Sequence, residues 1–91
     1  MKVQWTSKAL NDLVRLYEFL AISNADAAAS VIQSLTGASG RLSQHPRLGE
    51  KLGEFEPGEV RRLNVGRYEM RYEVRTEEVR VLRIWHSREA R

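Results

Sequence analysis

Between Tyr68 and Arg75 the chain reads YEMRYEVR, a strict alternation of apolar and charged residues. A period of two cannot serve a helix, whose faces recur about every 3.6 residues, and it prescribes an extended strand. Tyr68, Met70, Tyr72 and Val74 form one face and Glu69, Arg71, Glu73 and Arg75 the other. That is the pattern of an antiparallel strand with one side on a core and the other in water. Its neighbours are written on either side. Val60–Val65 leads in through Asn64-Val65-Gly66-Arg67, where Gly66 supplies the positive φ of a tight turn. The turn Thr76-Glu77-Glu78 leads out into Val79–His86. In that last strand Val81, Leu82, Ile84 and Trp85 put apolar residues on both faces, which marks a central strand with cover on each side.

The covering layer comes from upstream. Lys2 to Trp5 is a short strand expected to join the same sheet, and Thr6 or Ser7 caps the helix that follows. Leu10, Leu13, Val14, Tyr17, Leu20 and Ala21 recur at helical spacing, with Lys8, Asn11, Arg15 and Glu18 opposite. This helix should end near Ile22 or Ser23. Asn24 and Asp26 offer caps for a second helix, whose buried stripe is Ala28, Val31, Ile32, Leu35 and Leu42, and Pro46 ends it. Gly37 and Gly40 each cost about 1 kcal/mol relative to alanine inside a helix, so they predict close approach to a partner element. So short a link makes the two helices an antiparallel hairpin. Residues 45–59 form a long connection expected to hold one helical turn around Leu48 to Leu52, with Leu48, Leu52 and Phe55 tucked against the core. The fold class is α+β, in the order β-α-α-β-β-β. The N-terminal strand and helix hairpin pack on a mainly antiparallel sheet, as one domain over residues 1–91.

Composition narrows the function. There is no cysteine among the 91 residues, so neither a disulfide framework nor a thiolate metal site exists. The start MKVQWTSKAL has no run of signal-peptide length and no window approaches a membrane span, so the expectation is a cytoplasmic protein. The net charge of +3 is unevenly spread: residues 60–91 hold nine arginines, five glutamates and no lysine. A basic unit of this kind fits an acidic partner, nucleic acid or peptide. It equally fits a solvated sheet face laced with Arg–Glu pairs.

The chain carries no glycine-rich phosphate loop, metal-ligand cluster or carboxylate pair at helical spacing, so no cofactor or metal is expected. His45 lies in the long connection. His86 ends the last strand among Arg83, Arg88 and Arg91, a setting for anion contact or for a purely structural ring. Arg61 and Arg62 point to opposite faces, so at most one serves a given site. Trp85 reads as core or as a stacking platform.

The order of WTSKALNDLVRLYEFL, a second helix closing in HPRLGEKL, then VRRLNVGRYEMRYEV and VRVLRIWHSREAR resembles the RelE/ParE superfamily, toxins of bacterial type II toxin–antitoxin systems. The resemblance covers almost the whole chain. Its most specific parts are Arg62, Leu63, Val65, Gly66, Tyr68 and Tyr72 in one pattern and IWHSR, Ile84 to Arg88, in another. It implies the same β-α-α-β-β-β fold, and roles in stress response and plasmid or chromosome maintenance.

Two activities sit on this fold. RelE-like members cleave ribosome-bound mRNA with basic residues on the sheet and a late tyrosine; ParE-like members poison DNA gyrase and are not themselves nucleases. For an endoribonuclease the matching catalytic residues would be Arg62, His86 and Arg88. Val60 stands where that branch has lysine and Glu69 where it has arginine, and the chain stops at Arg91 before a catalytic tyrosine. A glutamate there repels a scissile phosphate instead of stabilising its developing charge. The expectation is therefore a gyrase inhibitor and not an enzyme. The alternatives are the ribonuclease and an inactive module that only corepresses with its antitoxin. The resemblance also implies a cognate antitoxin with an acidic C-terminal segment, laid across the toxin by helix-in-groove docking and strand addition. Operator DNA is reached only through that antitoxin. Expected antitoxin contacts are Leu13, Tyr17, Leu20, Tyr68, Met70 and Tyr72. Expected target contacts are Arg61, Arg62, Arg71, Arg83, Trp85, His86 and Arg88.

Overall fold

The computed structural model describes residues 1–88. In chain order it contains β1 (Lys2–Trp5), α1 (Ser7–Ser23), α2 (Ala25–Arg41), β2 (Glu50–Lys51), a 3-10 turn (Gly53–Phe55), β3 (Glu59–Val65), β4 (Tyr68–Val74) and β5 (Glu78–His86). The expected α+β class and strand–helix order are borne out. Five strands form one sheet in the order β1-β5-β4-β3-β2, antiparallel except where β1 runs parallel to β5. No helix among the described residues is long and apolar enough to cross a membrane.

Local chemistry sets the boundaries. Thr6 caps α1, its Oγ1 accepting from the Ala9 N–H at 3.1 Å, and Asn24 caps α2 by accepting from Ala27 N–H at 3.0 Å. Among the described residues Gly66 alone has positive φ, +59°, and turns β3 into β4. Both helices lie on one face of the sheet. Ala9, Leu16, Leu35, Ala38 and Leu42 descend onto Met70, Tyr72, Val74, Val79, Val81 and Ile84, all buried. The alternation read in β4 therefore places Met70, Tyr72 and Val74 under the helices, as expected.

β1 is too short to cover β5, and α1 completes the job. Beyond Val81 the register between β4 and β5 shifts, so Arg71 faces Arg83 while Tyr72 faces Val81. At this irregularity Thr6 donates from its N–H to Val81 O and from Oγ1 to Leu82 O, both at 3.0 Å. One residue pair further, Asp12 takes over: its Oδ2 accepts the Ile84 N–H at 2.9 Å and Arg83 Nε at 2.8 Å, and Oδ1 accepts Arg83 Nη2 at 3.3 Å. Side chains of a helix thus satisfy backbone groups that a strand edge leaves open.

Several expectations need correction. α2 ends at Arg41, with Leu42 as its cap, well before Pro46. A Cβ added at Gly37 or Gly40 would meet nothing within 4 Å, so these glycines mediate no close approach inside the chain, and the structure offers no other reason for them. The connection holds a two-residue strand and a 3-10 turn instead of a helical turn at Leu48 to Leu52. Its demanding glycine is Gly49, where a Cβ would lie 2.5 Å from Arg62 O. The Gly49 N–H donates to the buried Tyr72 hydroxyl at 2.8 Å, pinning the loop to the core. Leu52 is buried as expected, but Leu48 and Phe55 are exposed. Phe55 lies instead against the Arg71 guanidinium, a cation packed on a ring face.

A paired sheet face and an unpaired groove

The sheet has two surfaces of opposite character. On the face away from the helices, β3 contributes Arg62, β4 contributes Glu69, Arg71 and Glu73, and β5 contributes Arg80, Arg83 and Trp85, brought opposite one another by register. Glu69 is the unexpected member. It is 2 % exposed, and its Oε2 accepts from Arg71 Nη2 at 3.2 Å. The Arg71 guanidinium lies 5.4 Å from the Phe55 ring centroid and 5.0 Å from that of Trp85, and Arg83 lies 5.5 Å from Trp85. Trp85 is buried, so it serves as the floor of this cluster and not as an open stacking platform.

The arginines of this region are spent on carboxylates. Arg61 pairs with Glu59, Arg71 with Glu69, Arg75 with Glu73 and Arg80 with Glu78. In each case the acid stands two residues before the base on the same strand face. Arg62 is held by Glu50 across the β2–β3 pair at 2.7 Å, and Arg83 by Asp12. Arg61 also donates to Gly49 O at 2.7 Å and is turned to the loop. Burial alone raises a carboxylate pKa, yet hydrogen bonds from Arg83 and the Ile84 N–H, with the charges of Arg83 and Arg15, outweigh it and hold Asp12 below its ordinary value.

Arg67 and Arg88 differ. Neither follows a glutamate by two residues, and neither makes an ion pair among the described residues. Both line one groove of about 690 Å³, walled by Arg15, Leu16, Phe19 and Leu20 of α1 on one side and by Tyr68 and His86 on the other. The Gly66 turn and a double clamp hold the rim together. Ser87 donates to Arg67 O from both its N–H and its Oγ, each at 2.9 Å. His86 packs edge-on against Tyr68, ring centroids 5.3 Å apart and planes at 84°, and its Nδ1 accepts the Arg88 N–H at 3.1 Å. Phe19 is 72 % exposed at the groove mouth. A smaller hollow of about 360 Å³ lies on the other side of the same turn, against Ser30, Val31, Ser34 and Leu35 of α2.

The expected site residues thus separate. His86 and Arg88 enter the groove together with Leu20 and Tyr68. Arg62, Arg71, Arg83 and Trp85 belong to the outer sheet face, so Arg62, His86 and Arg88 are not gathered at one point. Met70 and Tyr72 are fully buried in the core beneath the helices, so they present no surface to a partner. Leu13 is partly buried against the core. Tyr17 stands exposed with Leu10 and Val14 as an apolar stripe along α1. Arg91 lies outside the described residues. Sequence reasoning missed Arg67 and Phe19. A partial signal for Arg67 was present, since it does not follow a glutamate by two residues, but Arg62 and Arg83 share that feature and are paired over long range.

The fold has relatives. No curated protein matches the chain. Among solved structures it is similar to one described as the chromosomal ParDE TA system from P. aeruginosa, with a TM-score of 0.79 and 26 % identity over 94 % of this chain and 95 % of that one. The model of the family described as the ParE toxin of the type II toxin–antitoxin system, parDE, matches residues 3–91. The chain belongs to the ParE toxin family of type II toxin–antitoxin systems.

Proposed function

We propose that the chain acts in the bacterial cytoplasm by inhibiting DNA gyrase, without cleaving a substrate itself, and that a cognate antitoxin with an acidic segment keeps it silent. The observation that carries the choice of gyrase over mRNA cleavage is the state of the outer sheet face. A ribonuclease needs uncommitted cations around the scissile phosphate to stabilise its developing charge. Here Glu69 is buried in the middle of that face and bonded to Arg71, while Arg62 is bonded to Glu50. A phosphodiester laid there would meet a buried carboxylate and arginines already neutralised. Support for the antitoxin comes from the other side of the molecule. The stripe of Leu10, Val14 and Tyr17 offers an amphipathic helix apolar contacts, and separately Arg67 and Arg88, across the groove from Leu16, Phe19 and Leu20, offer acidic residues a counter-charge. Operator DNA is then contacted by the antitoxin alone.

The test uses the purified chain in two assays side by side. Gyrase supercoiling is expected to fall with intact ribosome-bound message. Cleaved message with unaffected supercoiling would overturn the reading.

A further inference from the structure

We propose that the chain exchanges its first strand and helix with a second copy of itself, the link at Asn24 straightening so that α1 and α2 become one helix. This goes beyond the toxin reading and does not depend on it. The observation that carries it is the form of the link. α1 ends at Ser23 and α2 begins at Ala25, so a single residue turns the chain back on itself. Connections in helical hairpins ordinarily take about two to five residues. Asn24 departs from helical geometry, at φ −162° and ψ 106°, yet both of its main-chain bonds are those of an unbroken helix. Its N–H donates to Leu20 O and its carbonyl accepts from the Ala28 N–H, each at 3.0 Å. What holds the turn is the cap, Asn24 Oδ1 accepting from the Ala27 N–H at 3.0 Å. Straightening gives up that bond and adds those from the N–H groups of Ala25, Asp26 and Ala27 to the carbonyls of Ala21, Ile22 and Ser23.

The sequence around the link favours the straight form. Residues 1–36 contain neither glycine nor proline, the residues that commonly stop a helix, and positions 25, 27, 28 and 29 are alanine, the strongest helix former. A helix running from Ser7 to Arg41 would be about 52 Å long, which carries β1 and α1 clear of their own sheet. The acceptor is already built. A second copy offers β1 and α1 the same β5, so the Thr6 bonds to Val81 and Leu82 and the Asp12 bonds to Arg83 and Ile84 form between chains as they do within one. Where the two straight helices pass at the dyad, Ile22, Ala25 and Ala29 recur at spacings of three and four on one face. Ile22 is 85 % exposed in the single chain and is covered there. Each groove then takes Leu16 and Phe19 from one copy and Tyr68 and His86 from the other, so it is completed only by the pair.

The experiment places one disulfide across the exchanged interface. Gln4 and Arg80 are register partners of β1 and β5, and the chain has no cysteine of its own. The full chain carrying Gln4→Cys and Arg80→Cys is refolded at concentrations up to about 1 mM, comparable to the effective concentration a short link supplies. Monomer and dimer are separated by size-exclusion chromatography with light scattering, oxidised, and run on non-reducing denaturing gels. The dimer fraction is expected to run as a covalent dimer and the monomer fraction as a monomer closed on itself. On the same background Asn24→Ala is expected to raise the association constant roughly thirtyfold, since each of two hinges loses its cap. Two glycines inserted after Asn24 lengthen the turn and weaken the straight helix, and are expected to lower it about a hundredfold or more. Circular dichroism and thermal melting check that each variant is folded. A dimer fraction whose disulfides close only within chains would overturn the proposal, as would a parent and an Asn24→Ala variant both monomeric at the highest concentration. If Asn24→Ala does not fold, a dimer fraction left unchanged by the glycine insertion overturns it instead.

Discussion

The sheet's outer face and the groove at its end are built from the same residue type to opposite effect. On the outer face each arginine is answered by a carboxylate, and the arrangement adds rigidity without adding net charge. At the groove the side chains of Arg67 and Arg88 have no ion pair among the described residues. The difference teaches that arginine content is a poor guide to a binding surface; what matters is which guanidinium groups the chain itself leaves unneutralised. Residues 60–91 read as uniformly basic in sequence, yet the uncompensated charge is local.

The comparison can be broken by removing the partners in turn, since the cost should fall with the number of buried groups each removal leaves unpaired. Asp12→Ala is expected to cost most, about 3 kcal/mol in urea denaturation, because it strands both the Ile84 N–H and Arg83. For a chain of this length that is a drop in Tm of roughly 12–24 °C. Glu69→Ala should cost about 2 kcal/mol, since it leaves Arg71 wedged between two rings without its anion. If the outer face is not the toxic surface, this variant arrests growth as the parent does at a temperature where both are folded. Tyr72→Phe, which deprives the Gly49 N–H of its acceptor, should cost about 1 kcal/mol. Glu50→Ala, whose carboxylate is 65 % exposed, should cost under about 0.5 kcal/mol. A loss from Glu50→Ala as large as that from Asp12→Ala would end the distinction between structural and solvated pairs.

Acid provides an independent view of the same latch. The folded pKa of Asp12 lies below its ordinary value of 3.8. Its contribution is therefore complete above the unfolded pKa and lost as the pH falls through the lower folded value. Stability should fall below about pH 4 more steeply in the parent than in Asp12→Asn, as measured by denaturation midpoints between pH 2 and pH 6. Identical acid profiles for the two proteins would remove Asp12 from the account.

How much of this was legible in the sequence depends on the distance over which each feature is decided. The β4 alternation, the Thr6 and Asn24 caps and the Gly66 turn are settled by neighbours a few residues away, and each was read correctly. Glu69 was not, because a charged residue at an alternate position reads as solvated, and what buries it is Trp85 on the next strand. The Asp12–Arg83 pair spans 71 residues and no local pattern announces it. β2 escaped notice because two residues carry no period. In the groove, Tyr68, His86 and Arg88 were singled out, and Arg67 was passed over as part of a turn. Met70 and Tyr72 were given to a partner because one apolar face of a strand looks the same whether a helix of the same chain or another molecule covers it.

The parallel pairing of β1 with β5 gives the molecule an order in time. Thr6 and Leu82 are 76 residues apart, and the bonds between them close the sheet. Contacts of such long range form late and slowly. On a growing chain the helix hairpin can form early, but the strand it must lie beside is made last. The groove's two walls come from α1 and from residues 67–88, so no intermediate length of the nascent protein possesses it. Whatever the groove binds, binding there is postponed until synthesis has reached β5.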